Sequence, residues 1–255
     1  MVTTYIQQLW RMTDSSRLDE IAVPKRLVPP HIEELQAYQP GRPADALKEE
    51  LGIERFINLA SNENPLGPPK SSLRAIEKSL LEINRYPESG GFKLREALAE
   101  VYRIKAENVV IGSGSESIMA NIVRAFLHGD DEVVTSEGTF IGIYVLVNSQ
   151  GVKLVKVPLK NYGFDLDGIA NAVTEKTKLV YLCNPNNPTG TMFSRAEFEA
   201  FIQKIPDHVL VILAAAHFDF SLATAAPPHS PPPRSPPPPP PPPPPAWASL
   251  SFPTQ

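Results

Sequence analysis

From Val109 to Leu213 the chain alternates short apolar runs with amphipathic stretches, and this alternation constrains the fold more than any other feature. Apolar runs predict strands over 109–111, 132–135, 153–157, 178–183 and 209–213. The spacing between them predicts helices over 115–127, 139–148, 166–173 and 194–204. Ser194 with Glu197 three residues on is a capping box, which pins the start of the last helix. Apolar strands joined by helices imply a mostly parallel sheet covered on both faces, a three-layer α/β/α architecture. Ligands of such sheets sit outside the carboxyl ends of the strands. The loops after Ile111, Thr135, Cys183 and Leu213 are therefore expected around one crevice.

Upstream of this unit the pattern is looser. Residues 1–30 carry no firm period and read as an arm. Helices are expected over 31–38 and over 44–51, the second with Leu47 and Leu51 on one face and Gly52 at its end. A strand is expected over 56–59. Leu73, Ile76, Leu80 and Ile83 recur at helical spacing over 71–83, and Leu94, Leu98 and Val101 do so over 93–102. Past Phe220 periodicity ends. Fifteen of the 29 prolines fall between Pro227 and Pro245, and such a run forms only an extended polyproline II rod. The expected organisation is an arm at 1–30, a first part of a small domain with connecting helices at 31–103, an incomplete large domain at 104–222, and a disordered proline-rich tail at 223–255.

Composition excludes several classes. With 24 basic and 28 acidic residues the net charge is −4, which gives no basis for nucleic-acid or anionic-membrane binding. The longest apolar run, from Val209 to Ala216, is far below the ~20 residues that span a bilayer. The first dozen residues lack the basic start and apolar core of a secretory leader. One cysteine, Cys183, and five scattered histidines predict a buried thiol and no metal site. The expected setting is cytoplasmic.

Two motifs carry chemistry. Gly112-Ser113-Gly114-Ser115-Glu116-Ser117 joins the first expected strand to a helix. Helix-start amides attract phosphate, and Ser115 and Ser117 add hydroxyl donors; the same string also reads as a capped helix after a Gly-rich turn. Asn184-Pro185-Asn186-Asn187-Pro188-Thr189-Gly190 follows the fourth expected strand. Two prolines restrict the backbone there, and the Asn187 amide can donate to a ring oxygen. A rigid Asn/Pro turn is the plainer alternative.

With Tyr38-Gln39-Pro40-Gly41-Arg42-Pro43, Asn62-Glu63-Asn64-Pro65-Leu66-Gly67-Pro68, Arg85-Tyr86-Pro87 and Gly138-Thr139-Phe140, these motifs resemble a fold-type I, pyridoxal-phosphate-dependent aminotransferase, most similar to histidinol-phosphate aminotransferases. The match runs from about residue 30 to 213 and implies a partial fold-type I transferase that is truncated at its C-terminus. It implies that Ser115 and Glu116 hold the cofactor phosphate, that Phe140 stacks on the pyridine ring and that Asn187 bonds its phenolic oxygen. Tyr86 would reach the phosphate of the partner subunit in a homodimer. Asn62 and Asn64 would face the substrate, an amino donor or 2-oxo acid such as histidinol phosphate or 2-oxoglutarate. Each also has a plain structural reading: Phe140 as core, Tyr86 as a packed tyrosine, Asn62 and Asn64 as turn formers.

The resemblance fails after the fifth expected strand. The family's Asp-Glu-Ala-Tyr is replaced by Ala214-Ala215-Ala216-His217. Ala214 stands where the aspartate holds the pyridine nitrogen protonated, and His217 where a tyrosine bonds the phenolic oxygen. The family's Schiff-base lysine lies downstream, and the last lysine here is Lys204. No catalytic residue is therefore assigned, and an inactive chain is expected. The family also places the first strand at a sheet edge, beside strands that have no counterpart in this sequence. An alternative is a non-catalytic interaction protein presenting the run between Pro227 and Pro245 to an SH3- or WW-type reader, with Arg234, Pro237 and Pro240 in an Arg-x-x-Pro-x-x-Pro pattern.

Overall fold

The computed structural model describes residues 27–35, 44–53, 57, 59 and 61–216. The arm up to residue 26, Tyr38 to Pro43, His217 and the proline-rich tail lie outside the described residues. Helices α1 (Pro30–Glu33), α2 (Ala44–Leu51), α3 (Lys70–Ser79), α4 (Phe92–Tyr102) and α5 (Gly114–Phe126) precede the sheet. Then β1 (Glu132–Ser136), α6 (Ile141–Ser149), β2 (Lys153–Val157), α7 (Leu166–Ala172), β3 (Thr177–Cys183), α8 (Arg195–Ile202) and β4 (Leu210–Ala214) follow in strict alternation.

The four strands are all parallel, in the order β2-β1-β3-β4. β1 is buried along its whole length and β3 at all but one residue, as strands covered on both faces must be. Side chains of β3 alternate between two apolar layers. Leu179, Tyr181 and Cys183 join Met119, Val123, Ile143 and Val147 from α5 and α6. Val180 and Leu182 join Ile169, Phe193, Phe201 and Val209 on the α7 and α8 side. The layered α/β/α fold expected from the sequence is present.

The Ser194 box forms as read: Ser194 Oγ accepts from Glu197 N at 3.3 Å, and Glu197 Oε2 accepts from Ser194 N at 2.7 Å. Ser194→Ala is expected to lower stability by ~1 kcal/mol, within about 0.5–2 kcal/mol. Equilibrium urea unfolding checks this, and a loss under ~0.3 kcal/mol would show that the cap contributes nothing.

One strand expected from the sequence is absent. Residues 109–111 take part in no ladder, and Val110 is 75% exposed. Val109 N donates instead to Ala106 O within a local turn, at 3.1 Å. A strand exists only through a partner, and among the described residues none lies beside this segment. Of the expected strand at 56–59, Ile57 and Leu59 are described; neither lies in a strand and both are exposed. Of the helix expected over 31–38, only α1 forms among the described residues.

Helix α3 and its short 3₁₀ continuation, Leu80–Glu82, form with the predicted spacing, yet Leu73, Ile76, Leu80 and Ile83 are all exposed. In α4 only Ala99 is buried. Periodicity made these helices amphipathic, but no described element covers the α3 stripe, and in α4 Leu94 and Val101 stay exposed while Leu98 is half-buried. No helix among the described residues is long and apolar enough to cross a membrane.

Candidate functional site

Two cavities, of about 510 and 620 Å³, open beside the carboxyl ends of β3, β4 and β1. Ser61, Asn62, Phe140 and Asn187 wall both. The first runs inward from Ser115 on α5 to a floor of Met119, Tyr181, Cys183, Ile212 and Ala214. The second is closed by Glu116, Thr139, Gly142 and Pro188.

Ser115 and Glu116 occupy the first turn of α5, both exposed. That turn starts at Gly114 with φ +75°, a left-handed value at which glycine carries no steric penalty. The first amides of a helix have no intrahelical acceptor and carry partial positive charge, so they suit an anion. Ser117 Oγ is already committed, donating to Gly114 O at 3.1 Å.

Phe140 immediately precedes α6, and its ring lies against Gly142. A Cβ at position 142 would collide with that ring, so glycine there permits the ring's placement. Asn187 is half-buried, and its side-chain amide has no hydrogen-bond partner among the described residues. Asn62 lines both cavities with φ +53°, a left-handed conformation that Asn adopts more readily than most residues.

Two residues of the sequence reading lie elsewhere. Asn64 Oδ1 accepts from Leu66 N at 3.0 Å and its Nδ2 donates to Gly67 O at 3.3 Å, so its side chain is engaged in a turn. Tyr86 is fully exposed and touches neither cavity. Ala214 ends β4 opposite Cys183 and lines the floor of the first cavity. His217 lies outside the described residues.

The floor carries no formal charge: no Asp, Glu, Lys, Arg or His is among the described residues lining the first cavity. Burial holds the Tyr181 phenol far above its ordinary range, so it stays neutral. Burial also raises Tyr144, whose hydroxyl donates to Ser136 O at 2.7 Å.

Sequence reasoning passed over Asn186 in favour of its neighbour. Asn186 is buried and its side chain is fully engaged with Gly138, Thr139 and Thr189. It also passed over Ser61 and the floor residues Met119 and Tyr181. Alternation along β3 marks Tyr181 as inward, but nothing local shows that its layer opens into a cavity.

Residues 54–230 match the family model for aminotransferase class I and II. The chain is 40% identical over 194 residues to histidinol-phosphate aminotransferase 1 of Idiomarina loihiensis, covering 76% of this chain and 53% of that protein. It is 43% identical over 197 residues to histidinol-phosphate aminotransferase of Staphylococcus haemolyticus, covering 77% and 56%. Among solved structures it is similar to histidinol-phosphate aminotransferase from Sinorhizobium meliloti in complex with pyridoxal-5'-phosphate, with TM-score 0.67 and 30% identity over 75% of this chain and 51% of that one. The chain spans about half the length of the curated relatives it matches.

Proposed function

The chain belongs to the class I and II aminotransferase family, and from that premise we propose that it carries the phosphate-and-ring side of a pyridoxal phosphate site. The transfer to which that site belongs runs between histidinol phosphate, or another amino acid or amine, and 2-oxoglutarate. The observation that carries the reading is the convergence of the α5 start, Phe140 and the unpartnered Asn187 amide on one pair of adjoining cavities.

In this reading the first amides of α5 and the Ser115 hydroxyl hold the phosphate, with Glu116 contributing its backbone N–H. Phe140 offers a ring face, and Asn187 donates to the phenolic oxygen. The cofactor, when bound, supplies an electron sink. Asn62 lies where the amino donor enters. Tyr86, exposed and off the cavities, is available to a second copy in a homodimer. A cytoplasmic setting belongs to the same proposal.

The residues fit the phosphate and the ring face but not a protonated ring nitrogen. An unpaired positive charge against an uncharged floor is strongly disfavoured. Position 214 holds alanine, not a carboxylate. We therefore assign to the residues present non-covalent binding, and no amino transfer while position 214 lacks its carboxylate.

Calorimetric titration of the chain with pyridoxal phosphate tests the reading. The parent is expected to bind. Asn187→Ala, which removes a donor to a charged or strongly polar oxygen, is expected to bind about 10- to 100-fold more weakly. A parent that does not bind, or an Asn187→Ala chain that binds as well as the parent, would overturn the assignment.

A further inference from the structure

Phe140 and Asn187, the two side chains proposed above to hold the ring, come from loops 47 residues apart, yet one buried side chain ties those loops together. Asn186 is 3% exposed. Its Oδ1 accepts from Thr139 Oγ1 at 2.8 Å, and its Nδ2 donates to Gly138 O at 3.1 Å and to Thr189 Oγ1 at 2.8 Å. Gly138 O is only an acceptor, so it fixes which end of the amide faces it. The Asn186 backbone is held as well: its N–H donates to Thr191 O at 2.9 Å and its carbonyl accepts from Gly190 N at 2.7 Å.

The other side of the tie is equally anchored. Thr139 is buried, and its N–H donates to Tyr144 OH at 3.1 Å, whose hydroxyl in turn reaches Ser136 O at the end of β1. Burial keeps that phenol protonated and able to donate. The tie therefore runs from the end of β1 through Tyr144, Thr139 and Asn186 into the loop after β3. Among the described residues no other side-chain hydrogen bond joins the 137–140 loop to the 184–191 loop.

Thr139 directly precedes Phe140, and Asn186 directly precedes Asn187. Thr139 itself lines the second cavity beside Phe140, and Asn186 is one peptide unit from the Asn187 wall. We propose that Asn186, through Thr139, is a positioning residue that sets the Phe140 ring and the Asn187 amide at one spacing for an aromatic phosphate ester. This rests on the reading of the site as a pyridoxal phosphate site. Binding constellations need their groups held within about 0.5 Å of the productive geometry.

The experiment measures pyridoxal phosphate affinity, by calorimetry and by the circular dichroism the ligand acquires when bound, in the parent, Asn186→Ala, Thr139→Val and Thr139→Ser. Thr139→Val keeps the shape and removes the hydroxyl, so it reports on the tie should Asn186→Ala fail to fold. Thr139→Val is expected to fold, at a urea midpoint lowered because Asn186 Oδ1 is left unpaired, to bind about tenfold more weakly and to lose induced dichroism. Thr139→Ser is expected to restore both. A folded Thr139→Val chain that binds within about twofold of the parent would overturn the positioning role alone. A parent that binds no pyridoxal phosphate removes the site reading and this inference with it.

Discussion

Ala214→Asp is expected to raise the affinity of the chain for pyridoxal phosphate by about tenfold or more near neutral pH, and to reverse its pH dependence. In the parent, a ring seated on Phe140 meets a floor of Met119, Tyr181, Cys183, Ile212 and Ala214, none of them charged. Burial there favours the neutral pyridine. Parent binding is therefore expected to strengthen as pH rises through the ring nitrogen's pKa and the proton is lost. An aspartate at the end of β4 puts a negative charge on that floor. An opposite charge within ~4–6 Å shifts a pKa by about 1–3 units toward the charged form, and one unit is about tenfold. Binding to the variant is then expected to hold or improve as pH falls toward that pKa. Without ligand the new carboxylate has no cation opposite it, so the apo variant should unfold at lower urea. Titrations at several pH values check the prediction. Identical affinities and pH profiles in the two chains would show that the ring does not reach position 214.

Leu182→Ala is expected to lower stability by about 2.7–5 kcal/mol, a large share of what a domain has. Leu182 is fully buried on β3, the strand flanked by β1 and β4, and packs in the layer with Val134, Phe193, Phe201 and Val209. It faces away from both cavities, so its removal reports on the sheet and not on the site. A domain has only about 5–15 kcal/mol of net stability, and here exposed stripes on α3 and α4 contribute little of it. Leu81→Ser, at a residue 89% exposed, is the contrasting change and should shift the midpoint by less than ~0.5 kcal/mol. Urea unfolding followed by far-UV circular dichroism separates the two. A Leu182→Ala loss under ~1 kcal/mol would mean that this layer relaxes around the gap.

Much of the fold was legible because its signals are local. β2 and α2 form over the residues expected, and the helices and strands from residue 92 to 214 lie within two residues of their expected limits at nearly every end. Ser194 and Glu197 lie three residues apart and need nothing else to cap α8. The crevice was legible for a topological reason, since parallel strands place their carboxyl-end loops on one side. Of the residues singled out in the sequence, Asn62, Ser115, Glu116, Phe140, Asn187 and Ala214 line that crevice; Tyr86 and Asn64 do not.

The limits were non-local. Residues 109–111 have the composition of a strand but no ladder partner, and β-propensity describes a fit to neighbours more than an intrinsic preference. Asn186 and Asn187 are adjacent and chemically identical. One is spent on Gly138, Thr139 and Thr189, the other faces the cavities, and two of those three partners lie more than forty residues away.

By itself the sequence determined the alternation of strands and helices, the capped start of α8 and the family of the chain, because periods of 2 and 3.6 residues and contiguous motifs act over a few residues. The tertiary structure alone decided which apolar runs pair, which amphipathic stripes stay exposed, and which asparagine anchors the loops while the other faces the cavities. Those outcomes depend on burial and on hydrogen bonds between segments far apart along the chain, and no local pattern encodes them.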